Sequence, residues 1–205
     1  MKSSHITPEF QAYTFDGFVT ANRPACVVNA HRSAVYYAGH FPDIRDRRRN
    51  SMAFLGPPGS GKTRLMIAAC NELIAHGVSV HYFPWVEGSN DLRDAVKGGD
   101  SVQELLGAMK AAELLFVDDL FKGRDKPTPF QLECLFDVIN HRYLNHGPIF
   151  VSSERDIDSM CDVDEGLGSR IYEMCRDFLV PMVLTESERK SGTELNFRLL
   201  KEVAK

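Results

Sequence analysis

The sequence offers little from which a disulfide framework or a zinc knuckle could be built. Its cysteines, Cys26, Cys70, Cys134, Cys161 and Cys175, are odd in number, and no two stand as C-x-x-C. They read as small hydrophobes in a reducing compartment. The 7 histidines are scattered without ligand spacing, which argues against a histidine metal site. Long apolar runs are missing too. The longest, residues 178–184, falls far short of the ~20 residues that cross a bilayer. The opening MKSSHITPEF carries no apolar secretion core, so a cytoplasmic chain without membrane contact is expected. Nor is there a basic excess: 24 Lys+Arg against 28 Asp+Glu leave a net charge of −4. That excludes a wholesale basic nucleic-acid binder, though not a local basic patch. With 15 Gly and 10 Pro in 205 residues, a collagenous or disordered chain is excluded as well.

What is present is an alternation of short apolar runs with helical patterns. The runs cover residues 52–55, 78–85, 113–117, 148–152 and 178–184. Continuous runs of this length suit strands covered on both faces, as in a parallel sheet. Between them, residues 62–76 place Leu65, Ala69 and Leu73 on one stripe, and Gly77 can close that helix. Ser101-x-x-Glu104 reads as a capping box, and Thr128-Pro129-x-Gln131 as another, with Leu132, Leu135, Phe136, Ile139 and Tyr143 facing inward. A further helix is expected from about Ser169 to Cys175. The pattern predicts a doubly wound α/β fold with a mostly parallel, five-stranded sheet.

The strongest motif is Gly56-Pro57-Pro58-Gly59-Ser60-Gly61-Lys62-Thr63, which matches G-x-x-x-x-G-K-[ST] between an apolar strand and an amphipathic helix. Glycines let such a loop wrap closely around phosphate with its N–H groups turned inward, and the following helix points its positive end at the anion. Lys62 is expected at the β/γ-phosphates, the Thr63 hydroxyl on Mg²⁺, and Arg64 next to them in the nucleotide site. The second motif is Leu114-Leu115-Phe116-Val117-Asp118-Asp119, a buried strand ending in two carboxylates at the edge where open α/β sheets bind ligands. Asp118 is expected to hold Mg²⁺, and Asp119 to orient and polarise the attacking water.

Together these elements resemble an AAA+ (P-loop NTPase) ATPase, specifically the DnaC/DnaI-like helicase loaders and their IstB-like relatives. GPPGSGKT is similar to Walker A and LLFVDDL to Walker B, with DD where most AAA+ members have DE. Residues 14–18 resemble the lead-in of DnaI-type proteins, which implies Phe15 and Phe18 near the adenine. PIFVSSE at residues 148–154 resembles the strand that bears sensor 1, implying a γ-phosphate-sensing role for Ser153. GLGSRI at residues 166–171 resembles the segment bearing an arginine finger, implying that Arg170 acts on a neighbouring subunit's nucleotide. Arg155 is a weaker candidate, and Arg198 a sensor-2-like one. The resemblance implies one AAA+ domain: a lead-in over 1–50, a core over 51–185 and a tail over 186–205. It further implies ATP and Mg²⁺, self-association through ATP-bridged interfaces, single-stranded DNA, and a hexameric DnaB-type replicative helicase. Loaders usually carry a helicase-binding region ahead of the ATPase module. Here that directs the contact to the first dozen residues, another surface or a separate chain, or implies that it has been lost. The alternatives are an IstB-like transposition helper, a nucleotide-gated adaptor with little hydrolysis, and a small-molecule kinase.

Three further segments invite a functional reading. Residues 154–165 are acidic, but Gly166 is misplaced for an EF-hand, so a solvated turn is expected. Arg45, Arg47, Arg48 and Arg49 read as a solvated helix end or a phosphate contact. The stretch 81–85 with Lys97, Arg124 and Lys126 mixes aromatics and cations as a single-stranded DNA groove does; Trp85 is either a base contact or, more simply, core.

Overall fold

In the computed structural model, residues 7–98, 102–123 and 126–199 are described. Ser101 and Arg124 lie outside them, and the side chain of Lys97 is likewise not described. After a short helix α1 (Pro8–Gln11) come α2 (Ala25–Gly39) and α3 (Phe41–Ile44), then strand β1 (Met52–Leu55). Next are α4 (Lys62–Ala75), β2 (Val80–Pro84), α5 (Trp85–Gly98), α6 (Val102–Ala111) and β3 (Leu114–Asp118). The chain continues through α7 (Pro129–Leu144), β4 (Ile149–Ser153), α8 (Ile157–Val163), α9 (Glu165–Cys175) and β5 (Phe178–Pro181). Helix α10 (Glu186–Lys190) and a 3₁₀ turn (Phe197–Leu199) follow.

The strands form one sheet in the order β2-β3-β4-β1-β5, and every pairing is parallel. Parallel strands need crossovers, and the helices that supply them cover both faces. Alternation divides each strand between two cores. Met52, Phe54, Tyr82, Phe116 and Phe150 pack with α2, α3 and α4. Ala53, Leu55, Phe83, Val117 and Val151 pack with α5 to α9. Cys26, Cys70, Cys134 and Cys175 are buried as free thiols, as small hydrophobes would be.

The capping box at α7 forms as the sequence predicts, with Thr128 and Gln131 bonded reciprocally. Two expectations need correction. The helix expected from about Ser169 begins at Glu165, because the Asp164 carboxylate caps it by accepting from the Leu167 N–H at 2.8 Å. Arg170 therefore sits in the second turn, away from the helix's positive end. The acidic segment 154–165 is not a plain solvated turn: Asp156 caps α8 and Asp164 caps α9. Their short side chains accept the N–H groups that a helix start leaves unpaired.

Three of the four arginines ahead of β1 are paired with carboxylates at the edge where the strands begin, and Arg47 donates to the Asp43 backbone carbonyl at 2.7 Å. Arg45 bonds Glu113 at 2.9 Å, Arg48 bonds Glu173 at 2.9 Å, and Arg49 reaches Asp177 at 3.5 Å. Among the described residues no helix is long and apolar enough to cross a membrane.

Candidate functional site

A cavity of about 1030 Å³ opens at the carboxyl end of the sheet. The turn from β1 into α4 forms one wall, contributing Pro58, Gly59, Gly61, Lys62, Thr63 and Arg64. Gly59 and Gly61 hold φ values of 74° and 97°, a left-handed region that costs an L-residue roughly 1–2 kcal/mol. A Cβ on Gly59 would come within 1.8 Å of the Asn196 amide oxygen. The wrapped loop and the open start of α4 are the arrangement that binds an anion. Gly56 and Pro57 face a smaller cavity of about 320 Å³ with Glu154 and Asp156, and Ser60 is buried, its hydroxyl donating to the Pro57 carbonyl at 2.9 Å.

Lys62 is nearly buried, and its ammonium donates to the carbonyls of Gly56 at 2.7 Å and Pro57 at 2.8 Å. Burial lowers its pKa, against which the charges of Asp119 and Glu154 work. Thr63 donates from Oγ1 to Asp118 Oδ1 at 2.8 Å, tying α4 to the end of β3. Ser152 donates to the same oxygen, and the Tyr82 hydroxyl donates to Oδ2 at 2.9 Å. Burial pushes the Asp118 carboxyl above its ordinary pKa, and these hydroxyl donors pull it back.

Asp119 leaves the sheet with φ 53°. Its N–H donates to Ser152 Oγ at 2.8 Å, and its Oδ2 accepts from Lys122 at 2.7 Å. Lys122 also approaches Glu154 at 3.4 Å, and all three line the cavity. Burial works against the Lys122 charge, but Asp119 and Glu154 hold its pKa raised.

Ser153, the expected sensor, is turned away: its hydroxyl donates to the Leu120 carbonyl at 2.7 Å, and it does not line the cavity. Strand parity decides this. Ser152 shares the face of Phe150, where Phe116, Tyr82 and α4 also lie, whereas Ser153 follows Val151 to the other face. Arg155 donates from Nε to the Phe121 carbonyl at 3.2 Å and does not line the cavity. Arg170 lies on the α7–α9 face and does not line the cavity of its own chain, while Arg198 does.

Of the lead-in aromatics, Phe18 lines the cavity, whereas Phe15 packs into the core edge-on to His31 at 5.8 Å. Trp85 lines the cavity but is only 4% exposed and packs edge-on to Phe121 at 5.4 Å, the core reading. Sequence reasoning missed Tyr82, Lys122 and Glu154 as parts of this site. It also missed Phe197, whose N–H donates to the Gly59 carbonyl at 2.8 Å and whose ring lies 5.2 Å from Phe18. A buried tyrosine hydroxyl needs a partner, which is a signal, but naming Asp118 as that partner takes the β2–β3 register.

Thr63 and Asp118 offer hard oxygen donors side by side, a set that fits Mg²⁺, which takes one or two protein oxygens and completes its shell with water and phosphate. Residues 44–164 match the family described as IstB-like ATP binding protein. The chain is 45% identical over 204 residues to YqaM of Bacillus subtilis, covering 97% of this chain and 62% of that one. It is 44% identical to the phage-like element PBSX protein XkdC of the same organism, covering 96% of this chain and 72% of that one. It is 26% identical to the replicative helicase loader DnaC of Escherichia coli, covering 84% and 66%. Among solved structures, DnaI matches with TM-score 0.72 at 17% identity, over 86% of this chain and 94% of that one. AMPPCP-bound DnaA from Aquifex aeolicus matches with TM-score 0.68 at 22% identity, over 95% and 59%. The fold is thus that of the AAA+ P-loop NTPases.

Proposed function

The chain belongs to the IstB-like ATP-binding family, and from that premise we propose that it is a Mg²⁺-dependent ATPase that loads a hexameric DnaB-type replicative helicase onto single-stranded DNA. The observation that carries the ATPase reading is the Thr63–Asp118 hydrogen bond beneath the phosphate loop, at the floor of a cavity large enough for a nucleotide. The similarity to DnaC over 84% of this chain supports the loader reading.

The loop's N–H groups and the positive end of α4 bind the triphosphate, and Lys62 exchanges its loop carbonyls for the β/γ-oxygens. Thr63 and Asp118 would hold a Mg²⁺ ion, which would supply positive charge to offset that on those oxygens. Asp119, at the cavity wall, orients the attacking water and accepts its proton. Ser152, which bridges the Asp118 carboxylate and the Asp119 N–H, keeps the two acids in fixed relation. Arg170 serves the nucleotide of a neighbouring copy. A transposition helper that engages duplex DNA is the second reading, favoured by the family match itself.

The test is native mass spectrometry of the protein with the replicative helicase of its own host, in ATP and then ADP. A nucleotide-dependent complex with the helicase hexamer is the expected result. No complex in either nucleotide refutes loading by this chain alone and moves the assignment to the transposition helper, or to a loader whose helicase-binding part lies on a separate chain. Lys62→Ala is expected to abolish ATP binding, and undiminished binding by that variant refutes the site itself.

A further inference from the structure

Phe136, Asn140 and Tyr143 recur along α7 at intervals of four and three, so they share one face of the helix. Arg170 of α9 lies across that face. Its Nε donates to Asn140 Oδ1 at 3.1 Å, and its Nη1 donates to the Gly166 carbonyl at 2.8 Å. Its guanidinium carbon stands 4.9 Å from the centre of the Phe136 ring and 5.4 Å from that of Tyr143. Every one of these partners is neutral. Arg45, Arg48 and Arg49 are each paired with a carboxylate. Arg64 and Arg23 also rest on a carbonyl and a ring face, and what sets Arg170 apart is the added side-chain amide of Asn140. Glu173, the nearest acid along α9, is occupied by Arg48 and by the Tyr143 hydroxyl at 2.7 Å. Among the described residues Arg170 has no carboxylate in ion-pair range, and its Nη2 makes no hydrogen bond.

We infer that Asn140, with the Phe136 ring beneath the guanidinium, is a positioning residue that aims Arg170 at a phosphate held by another copy of this chain. An amide oxygen, a backbone carbonyl and two ring faces fix the direction of the guanidinium and leave its charge uncompensated. A carboxylate in place of Asn140 would fix it equally well and neutralise it. The phosphate belongs to another copy because Arg170 does not line the cavity of its own. The inference rests on the reading of Arg170 as acting between subunits, and the experiment separates the two.

ATP turnover is measured against protein concentration for Asn140→Leu, Asn140→Asp, Phe136→Leu and Arg170→Ala. Each is assayed alone and mixed with Lys62→Ala subunits, which cannot turn over ATP but carry an intact Arg170. Losing the amide's hydrogen bond to a charged group is expected to lower kcat of the assembled protein about tenfold, with KM for ATP unchanged. Adding Lys62→Ala subunits is expected to restore turnover at the sites of the Asn140 variants, a recovery that general damage to the fold would not give. Asn140→Asp, nearly the same shape, is expected to lose at least as much as Asn140→Leu, and it keeps the test decisive should the leucine variant not fold. Full turnover by Asn140→Leu and Asn140→Asp, or a loss that Lys62→Ala subunits do not repair, overturns the inference. If Arg170→Ala itself retains full assembly-dependent turnover, the intersubunit reading beneath it fails instead.

Discussion

Tyr82→Phe takes one oxygen out of the interior, and its consequences follow from how Asp118 is held. Asp118 is 5% exposed. Its Oδ1 accepts from Thr63 and Ser152, whereas Oδ2 accepts, among the described residues, from Tyr82 alone. Phenylalanine keeps the ring against Phe10 and Phe116, so packing is preserved. What is lost is a hydrogen bond to a charged group, worth ~1.5–3 kcal/mol, or roughly 3–12 °C in Tm for a domain of this size. The sign with pH follows from linkage. Burial holds the Asp118 carboxyl above its unfolded pKa, so the cost of burying its charge is full above the folded value and fades as pH falls through it. Tyr82 opposes that shift, and removing it raises the folded value further. The destabilisation is therefore largest at neutral pH and shrinks toward that of a neutral hydrogen bond, about 1 kcal/mol, as acid protonates Asp118. Thermal unfolding of both proteins across a pH series measures this. An unchanged Tm at neutral pH, or the same offset at every pH, refutes the reasoning.

Arg142 is 1% exposed and donates to five carbonyls, those of Met109, Lys110, Ala112, Glu113 and Pro148. Arg142→Met is expected to cost at least roughly 3 kcal/mol in urea unfolding, and a cost under about 1 kcal/mol contradicts this account. A Cβ on Gly168 would sit 2.6 Å from the Cys161 sulfur and 2.7 Å from its backbone nitrogen. Gly168→Ala should thus part α8 from α9 and lower stability by about 1–3 kcal/mol, read as a shift in denaturation midpoint. Gly59→Ala adds strain at φ 74° and drives the Asn196 side chain off the loop. Faster proteolysis beyond α10 together with weaker nucleotide binding is expected, and unchanged cleavage would count against the contact.

Much of the site could be read from the sequence because it is local. The phosphate loop, the start of α4 and the acid pair at the end of β3 each lie within one short stretch. The roles of Ser152 and Ser153 could not be separated in that way. They are adjacent, chemically identical and both buried, and only the parity of β4 against β3 gives Asp118 to the first. The sequence puts a helix start near Ser169, which sets Arg170 in the first turn; the Asp164 cap moves that start to Glu165 and Arg170 to the second turn. Tyr82 and Phe197 reach the site from 36 and 138 residues away from Asp118 and Gly59 respectively, over separations that no local pattern spans.

The amino-acid sequence by itself determined the class of fold, the parallel sheet and the phosphate-binding loop, since hydrophobic period, caps and glycine spacing act over a few residues. Only the tertiary structure decided which hydroxyls meet the Asp118 carboxylate, that Asn196 and Phe197 lie against the phosphate loop, and that Arg170 has no carboxylate in ion-pair range among the described residues. Those contacts depend on strand register and helix crossing, which are fixed when distant segments bury their apolar faces together.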